Sequence, residues 1–139
     1  MRTKGRRLRL SLLLSLLLAS CGGDPIPKAV LGTGSWQWHP IEDGDGIPVI
    51  LGPQGGYHLL GSVRVKGIAP GDFSDVDDPK NPTTTFEVLV DGTNLTPGSV
   101  YVQGLRPAPE DAKPWTHEML GRFAILDISS DRELDDVSV

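Results

Sequence analysis

The chain has 139 residues, a formal net charge of −5 and one cysteine, Cys21. This length suits a single domain, and a lone cysteine excludes an internal disulfide. The acidic balance argues against binding to nucleic acid and against charge-driven docking on anionic lipid. We therefore expect a small fold that is stabilised by its hydrophobic core, without an internal disulfide.

Residues 1–20 have the layout of a secretory signal peptide. Five basic residues precede a short leucine-rich run, and small residues lead into Cys21. This order is typical of an exported leader, and the apolar run is well short of the ~20 residues that a transmembrane helix needs. Removal of residues 1–20 takes away five basic residues and no acid, which changes the net charge from −5 to −10.

The end of the leader, Leu18-Ala19-Ser20-Cys21, resembles the lipobox of bacterial lipoproteins. The resemblance implies cleavage before Cys21, a diacylated sulfur and an acylated new amino terminus, so that fatty acyl chains such as palmitate anchor the protein to a membrane. Burial of an acyl chain contributes ~0.8 kcal/mol per methylene, so three acyl chains would hold the protein at the membrane. Asp24 stands one place too late for an inner-membrane retention signal, which favours the outer membrane. The alternative is an ordinary signal peptide with an incidental cysteine.

Beyond the leader, the pattern predicts a tether and then strands. Residues 21–28 comprise Cys21 and a Gly/Pro spacer without an apolar period. Alternating or β-branched runs predict strands, with a helical turn expected at residues 115–120 before the last of them. Turn residues separate the runs at Gly-Pro-Gln-Gly-Gly and at Asp91-Gly92, and a loop is expected at residues 68–82. The predicted strands are residues 47–51, 57–66, 83–91, 99–105 and 121–128.

Short strands separated by Gly/Pro turns predict an all-β fold, an immunoglobulin-like antiparallel β-sandwich at residues 29–139. That fold needs about seven strands, and the pattern supplies five or six. Either the chain is truncated or its last edge is left open to pair with another chain. We favour truncation, because no lysine or proline near residue 139 blunts an edge.

Three motifs then carry a second resemblance. Residues 31–34 (Leu-Gly-Thr-Gly), 42–45 (Glu-Asp-Gly-Asp) and 52–58 (Gly-Pro-Gln-Gly-Gly-Tyr-His) are similar to a pattern in uncharacterised, myxobacterial-type envelope lipoproteins. The resemblance covers the first third of the expected domain. It implies an immunoglobulin-like fold and a location at the cell envelope, and it implies no particular activity.

The most specific internal motif is the glycine-rich turn with the residues that follow it. Gln54, Tyr57 and His58 could line a ligand groove, because glycine backbone permits close approach. The favoured interpretation is a tight hairpin turn that sets strand register. No basic residue or following helix supports a phosphate site there.

Metal sites are weaker hypotheses. Carboxylates in the acidic loop are the better calcium candidates, since that ion prefers oxygen ligands on flexible loops: Asp72, Asp75, Asp77 and Asp78, ahead of Glu42, Asp43 and Asp45. Imidazole and thioether groups suit copper, but their spacing is long: His39, His58, His117 and Met119. The favoured interpretation is a solvated acidic loop and surface histidines, with no metal or cofactor.

Three tryptophans are the remaining candidates for a binding surface. Trp36, Trp38 and Trp115 would form a sugar- or peptide-binding platform if exposed together. Trp36 and Trp38, two apart on a strand, would face one side, so at least one should enter the core.

No arrangement of residues is typical of nucleophilic catalysis. We therefore expect a non-enzymatic, lipid-anchored interaction or structural module of the cell envelope, tethered through Cys21, whose partner is an envelope protein or glycan and not nucleic acid. The alternative is a periplasmic-side lipoprotein that binds calcium or copper.

Overall fold

A computed structural model describes residues 26–134. The predicted leader, Cys21, most of the predicted tether and residues 135–139 lie outside this range. All strand pairings within it are antiparallel, and its helices are two short 3₁₀ segments, Glu110–Ala112 and Asp131–Leu134. The all-β, antiparallel class is therefore confirmed. No described helix is long and apolar enough to cross a membrane.

Ten strands build the described part of the fold. They are β1 (Lys28–Thr33), β2 (His39–Pro40), β3 (Ile50–Leu51), β4 (Tyr57–Lys66), β5 (Thr83–Thr85), β6 (Leu89–Val90), β7 (Thr93–Asn94), β8 (Val100–Val102), β9 (Arg106–Pro107) and β10 (His117–Leu126). The main sheet has six strands in the order β2-β1-β4-β10-β9, with β3 paired to the start of β4. Two small sheets, β5-β8 and β6-β7, complete the fold.

The core lies on one face of the main sheet. Alternate residues of β4 and β10 point to that face. There, buried Val65, Met119 and Ala124 pack against Phe86, which lies between β5 and β6, and Leu105, which lies between β8 and β9. Half-buried side chains enlarge this cluster: Leu59, Val63, Ile68, Val88 and Tyr101. A Cβ at Gly61 would lie 2.5 Å from the Phe86 ring, so glycine in the middle of β4 lets that ring sit directly on the sheet.

A bulge in β10 divides the main sheet into two halves. Met119 pairs with Val63 and Arg122 with Gly61, so β10 has one more residue than β4 between these pairs. Gly121 takes the extra place at φ 61°, a conformation that favours glycine. The fully buried Ser62 hydroxyl accepts a hydrogen bond from Gly121 N (3.0 Å) and donates to the Gly34 carbonyl (2.9 Å), which ties the bulge to the loop after β1.

The outer edge of β10 beyond the bulge is capped by side chains and loop backbone. The Tyr101 hydroxyl donates to the Phe123 carbonyl (2.6 Å), and Ser99 Oγ accepts from Ile125 N (2.9 Å). Asp127 N donates to the Leu95 carbonyl (2.7 Å). Because these groups occupy positions that an added strand would use, this edge is protected against pairing with another chain.

Several local predictions are confirmed and others are wrong. Strand 57–66 matches β4, and Asp91-Gly92 forms the β6-β7 turn with φ 50° and 79°. Predicted strand 83–91 is broken into β5 and β6, because the buried Thr96 hydroxyl accepts from Val88 N and donates to the Phe86 carbonyl, replacing strand partners. The helical turn at 115–120 is wrong: β10 begins at His117, where β4 and β9 pair with it on both sides.

Candidate functional site

The glycine-rich motif forms the tight turn of the β3-β4 hairpin. Gly52 N donates to the Gly56 carbonyl (2.9 Å) and Gly55 N to the Gly52 carbonyl (3.0 Å). Gly55 and Gly56 have φ of 75° and 97°, where a side chain would be strained. The glycines therefore have a turn-making role, and Ile50 and Leu51 pair with His58 and Tyr57 across the hairpin.

The same turn borders a groove of about 380 Å³. We call it the turn groove: residues 52–58 with Phe123 and Ile125 of β10. All three predicted residues, Gln54, Tyr57 and His58, line it. His58 packs on Phe123 with ring centroids 4.4 Å apart and an interplanar angle of 55°. The structure thus brings the predicted residues together and adds two apolar side chains that the sequence did not single out.

The turn groove lies on the face of the main sheet that points away from the core. Phe123 and Ile125 alternate with the buried Ala124 and Leu126, so they project outward, and they are 49% and 56% exposed. Ile50 on the hairpin pairs with His58, which in turn pairs with Ile125, so it projects to this face too and is 36% exposed. The result is a continuous apolar surface beside a rigid turn, which offers contact area for a partner.

A charged cluster occupies the other half of this outward face. Glu118 is 2% exposed and accepts from Arg64 Nε (3.0 Å) at one oxygen and from Arg106 Nε (3.0 Å) and Nη2 (2.7 Å) at the other. The Arg64 guanidinium lies 4.6 Å above the Trp38 ring. A carboxylate this deeply buried needs such partners. Sequence reasoning missed the cluster because it placed Glu118 in a helical turn.

The acidic loop is organised by its own backbone. Carboxylates of Asp72, Asp75 and Asp78 each accept a hydrogen bond from the amide two residues ahead (2.7–3.0 Å). Hydrogen bonds from the Ser74 hydroxyl and amide lower the pKa of Asp72. The buried Asn81 side chain accepts from Asp72 N and donates to the Asp75 carbonyl. These carboxylates stabilise turns.

The candidate metal ligands remain dispersed in the described part of the chain. Residues 26–134 contain no group of three His, Cys, Asp or Glu side chains placed to hold an ion. Met119, a copper candidate, is buried in the apolar core. Asp77 is exposed, and its backbone amide donates to Asp75.

The tryptophans have three different environments. Trp36 is 90% exposed in the loop between β1 and β2. Trp38 is half-buried beneath Arg64, and Trp115 is half-buried with the Lys66 ammonium 5.9 Å from its ring. The expectation that Trp36 or Trp38 enters the core is wrong, because the chain bends at residues 35–37 and neither tryptophan lies in a strand.

No protein-family model, curated protein or solved structure matches the chain.

Proposed function

We propose that the protein is a lipid-anchored, non-enzymatic interaction module of the cell envelope, and that the turn groove is its contact surface. Acyl chains on Cys21 fix its position, the spacer gives it reach, and the groove receives apolar side chains of an envelope protein. We also propose that the fold is an immunoglobulin-like sandwich. This architecture is supported by the position of the core, which lies between the main sheet and the segment that forms the two small sheets.

The observation that carries the proposal is the exposure of Phe123 and Ile125 on a rigid strand. Both belong to β10, which pairs with β4 and is capped along its outer edge. Their positions are therefore set before a partner arrives, and little conformational freedom is lost on binding. Burial of exposed apolar area contributes about 25 cal/mol per Å², so such a pair is suited to a central contact.

The chemistry of the groove favours contact over catalysis. Its walls are two apolar side chains and the glycine-rich turn, and the polar residues act locally: Tyr57 pairs with Leu51 in the hairpin, and His58 packs on Phe123. Anchoring is supported by the leader and lipobox pattern ending at Cys21.

Site-specific photo-crosslinking of the full chain in a bacterial envelope tests this proposal. A photoreactive residue at Ile125 should yield an adduct with another envelope protein. The matched control is Val102, which is 58% exposed on β8 of a small sheet and should yield much less. Equal yields at both positions, or an adduct only with a second copy of this chain, would contradict the proposal.

The anchor is tested separately by Cys21→Ala. The variant should appear in the soluble fraction and should lose the acyl mass from its amino-terminal peptide. A wild-type chain that keeps residues 1–20, or whose Cys21 carries no acyl mass, would refute lipid anchoring while leaving the crosslinking result interpretable.

A further inference from the structure

A second pocket, of about 200 Å³, lies at the β10 bulge and is lined by side chains of a different character. We call it the bulge pocket. Its lining includes three aromatic or amide side chains and three charged ones: Trp36, Phe73, Gln103, Arg106, Glu118 and Arg122. The turn groove, in contrast, is bounded by the β3-β4 turn and the end of β10, so the two share no lining residue.

Two glycines build the walls of the bulge pocket. A Cβ at Gly104 would lie 2.1 Å from the Asp72 carbonyl carbon, so only glycine lets the loop that bears Phe73 dock there. A Cβ at Gly121 would lie 3.0 Å from Ser35 Cα, which places the loop that bears Trp36 against the bulge. The pocket is thus assembled by close backbone contacts between three separate parts of the chain.

The charge of the bulge pocket is opposite to that of the whole chain. Glu118 is shared by Arg64 and Arg106, so two guanidiniums face one carboxylate. Arg122 is half-buried and donates from Nε to the neutral Gln103 amide oxygen (2.9 Å). Among residues 26–134, no ion pair to Arg122 is present. The charged residues of the lining are Arg106, Arg122 and Glu118, so the pocket has a local charge of +1 in a chain of net charge −5.

Aromatic surface flanks these cations. Trp36 is 90% exposed and Phe73 is 62% exposed, yet both line the pocket. Exposed apolar surface rimmed by polar residues is typical of ligand-binding grooves, and the indole offers a flat, apolar face of the kind that stacks on a ring. Ser35 and Gln103 add polar groups to the lining.

From this combination we propose that the bulge pocket binds a carboxylated sugar unit of an acidic glycan. The sugar ring stacks on Trp36, its carboxylate accepts hydrogen bonds from the guanidinium of Arg122 with Arg106 alongside, and the Gln103 amide meets a ring hydroxyl. Arginine matches a carboxylate in a bidentate geometry. The pocket is smaller than the 300–1,000 Å³ typical of drug-sized ligands, which suits one ring better than an extended acidic peptide.

Titration of the detergent-solubilised full chain with D-glucuronate and D-glucose tests the proposal, because these sugars differ only in the carboxylate at one carbon. Tryptophan fluorescence and the side-chain NMR signals of Arg122 and Gln103 report occupancy. We expect glucuronate to bind with a dissociation constant of about 1 mM and glucose at least about tenfold more weakly. Added salt should weaken glucuronate binding more than glucose binding.

Two variants and one control assign the contacts. Arg122→Gln should weaken glucuronate binding about tenfold and leave glucose binding unchanged. Trp36→Ala should weaken both sugars and, since this side chain is almost fully exposed, should fold like the wild type. Lys80→Gln removes the same charge from an exposed loop position and should change neither.

Three results would overturn the proposal. The first is equal binding of glucose and glucuronate. The second is tighter binding of a tri-glutamate peptide than of glucuronate, which would assign the pocket to acidic peptides. The third is displacement of glucuronate by an equal concentration of inorganic phosphate, which would leave only a general anion site. None of these results bears on the turn groove or on Cys21.

Discussion

Replacement of Glu118 by glutamine should destabilise the protein far more than the replacement of a charge on its exposed surface. The substitution preserves shape but removes the one carboxylate that faces two guanidiniums, Arg64 and Arg106. The Arg64 side chain is only 14% exposed, so its charge cannot be rehydrated without moving the Trp38 ring beneath it.

The magnitude follows from burial. Removal of one partner from a buried ion pair costs about 3–5 kcal/mol. Because Arg106 is 47% exposed and can turn toward water, we expect the lower end, about 3 kcal/mol. For a domain of this size the loss corresponds to a fall in Tm of about 12 °C. With a urea m-value of about 1.5 kcal/mol/M, the unfolding midpoint should fall by about 2 M.

Urea unfolding followed by circular dichroism measures this change, with two variants for comparison. Arg106→Gln leaves a matched pair of Arg64 and Glu118 and should cost about 1 kcal/mol. Glu110→Gln removes a carboxylate from the exposed pair with Lys113 and should change stability by less than about 0.5 kcal/mol. A cost below about 1 kcal/mol for Glu118→Gln, or equal costs for Glu118→Gln and Arg106→Gln, would refute the reasoning.

Three further predictions concern stability and titration. In thermal unfolding, Gly104→Ala should destabilise the fold by several kcal/mol, because its Cβ would lie 2.1 Å from backbone. The control Gly98→Ala has open space around it and should be neutral or stabilising by about 0.5 kcal/mol. Similar melting curves for the two variants would contradict this prediction. Ser62→Ala should cost about 1–3 kcal/mol in urea unfolding, because two backbone hydrogen bonds lose their buried partner, and an unchanged midpoint would count against it. Ser74→Ala should raise the lowered pKa of Asp72 toward 3.8 in an NMR titration. Since the pKa of Asp72 is lower in the folded state, its carboxylate stabilises the fold at pH values above its ordinary pKa, and this stabilisation is lost as the pH falls through the lower, folded value. An Asp72 pKa that is the same in Ser74→Ala and in the wild type would disprove the assignment.

Local sequence determined the parts of this fold that depend on neighbours along the chain. Alternation predicts β4 at its observed bounds, and the Asp91-Gly92 pair predicts the β6-β7 turn, because backbone dihedral preferences act over a few residues. The Gly-Pro-Gln-Gly-Gly turn was also recognisable from sequence, and with it Gln54, Tyr57 and His58, since glycine readily adopts the positive φ that a tight turn requires.

Tertiary structure alone decided which face of β10 is buried and what the buried charge contacts. Phe123 and Ile125 are larger and more apolar than Ala124, yet the smaller residue enters the core, because the bulge at Gly121 and the Phe86 ring fix which alternate positions face inward. Glu118 meets Arg64 and Arg106 only after β4, β9 and β10 have paired, from positions 54 and 12 residues away. These contacts are set by the hydrogen-bond register between strands that are distant in sequence, and a local pattern of residues does not determine that register.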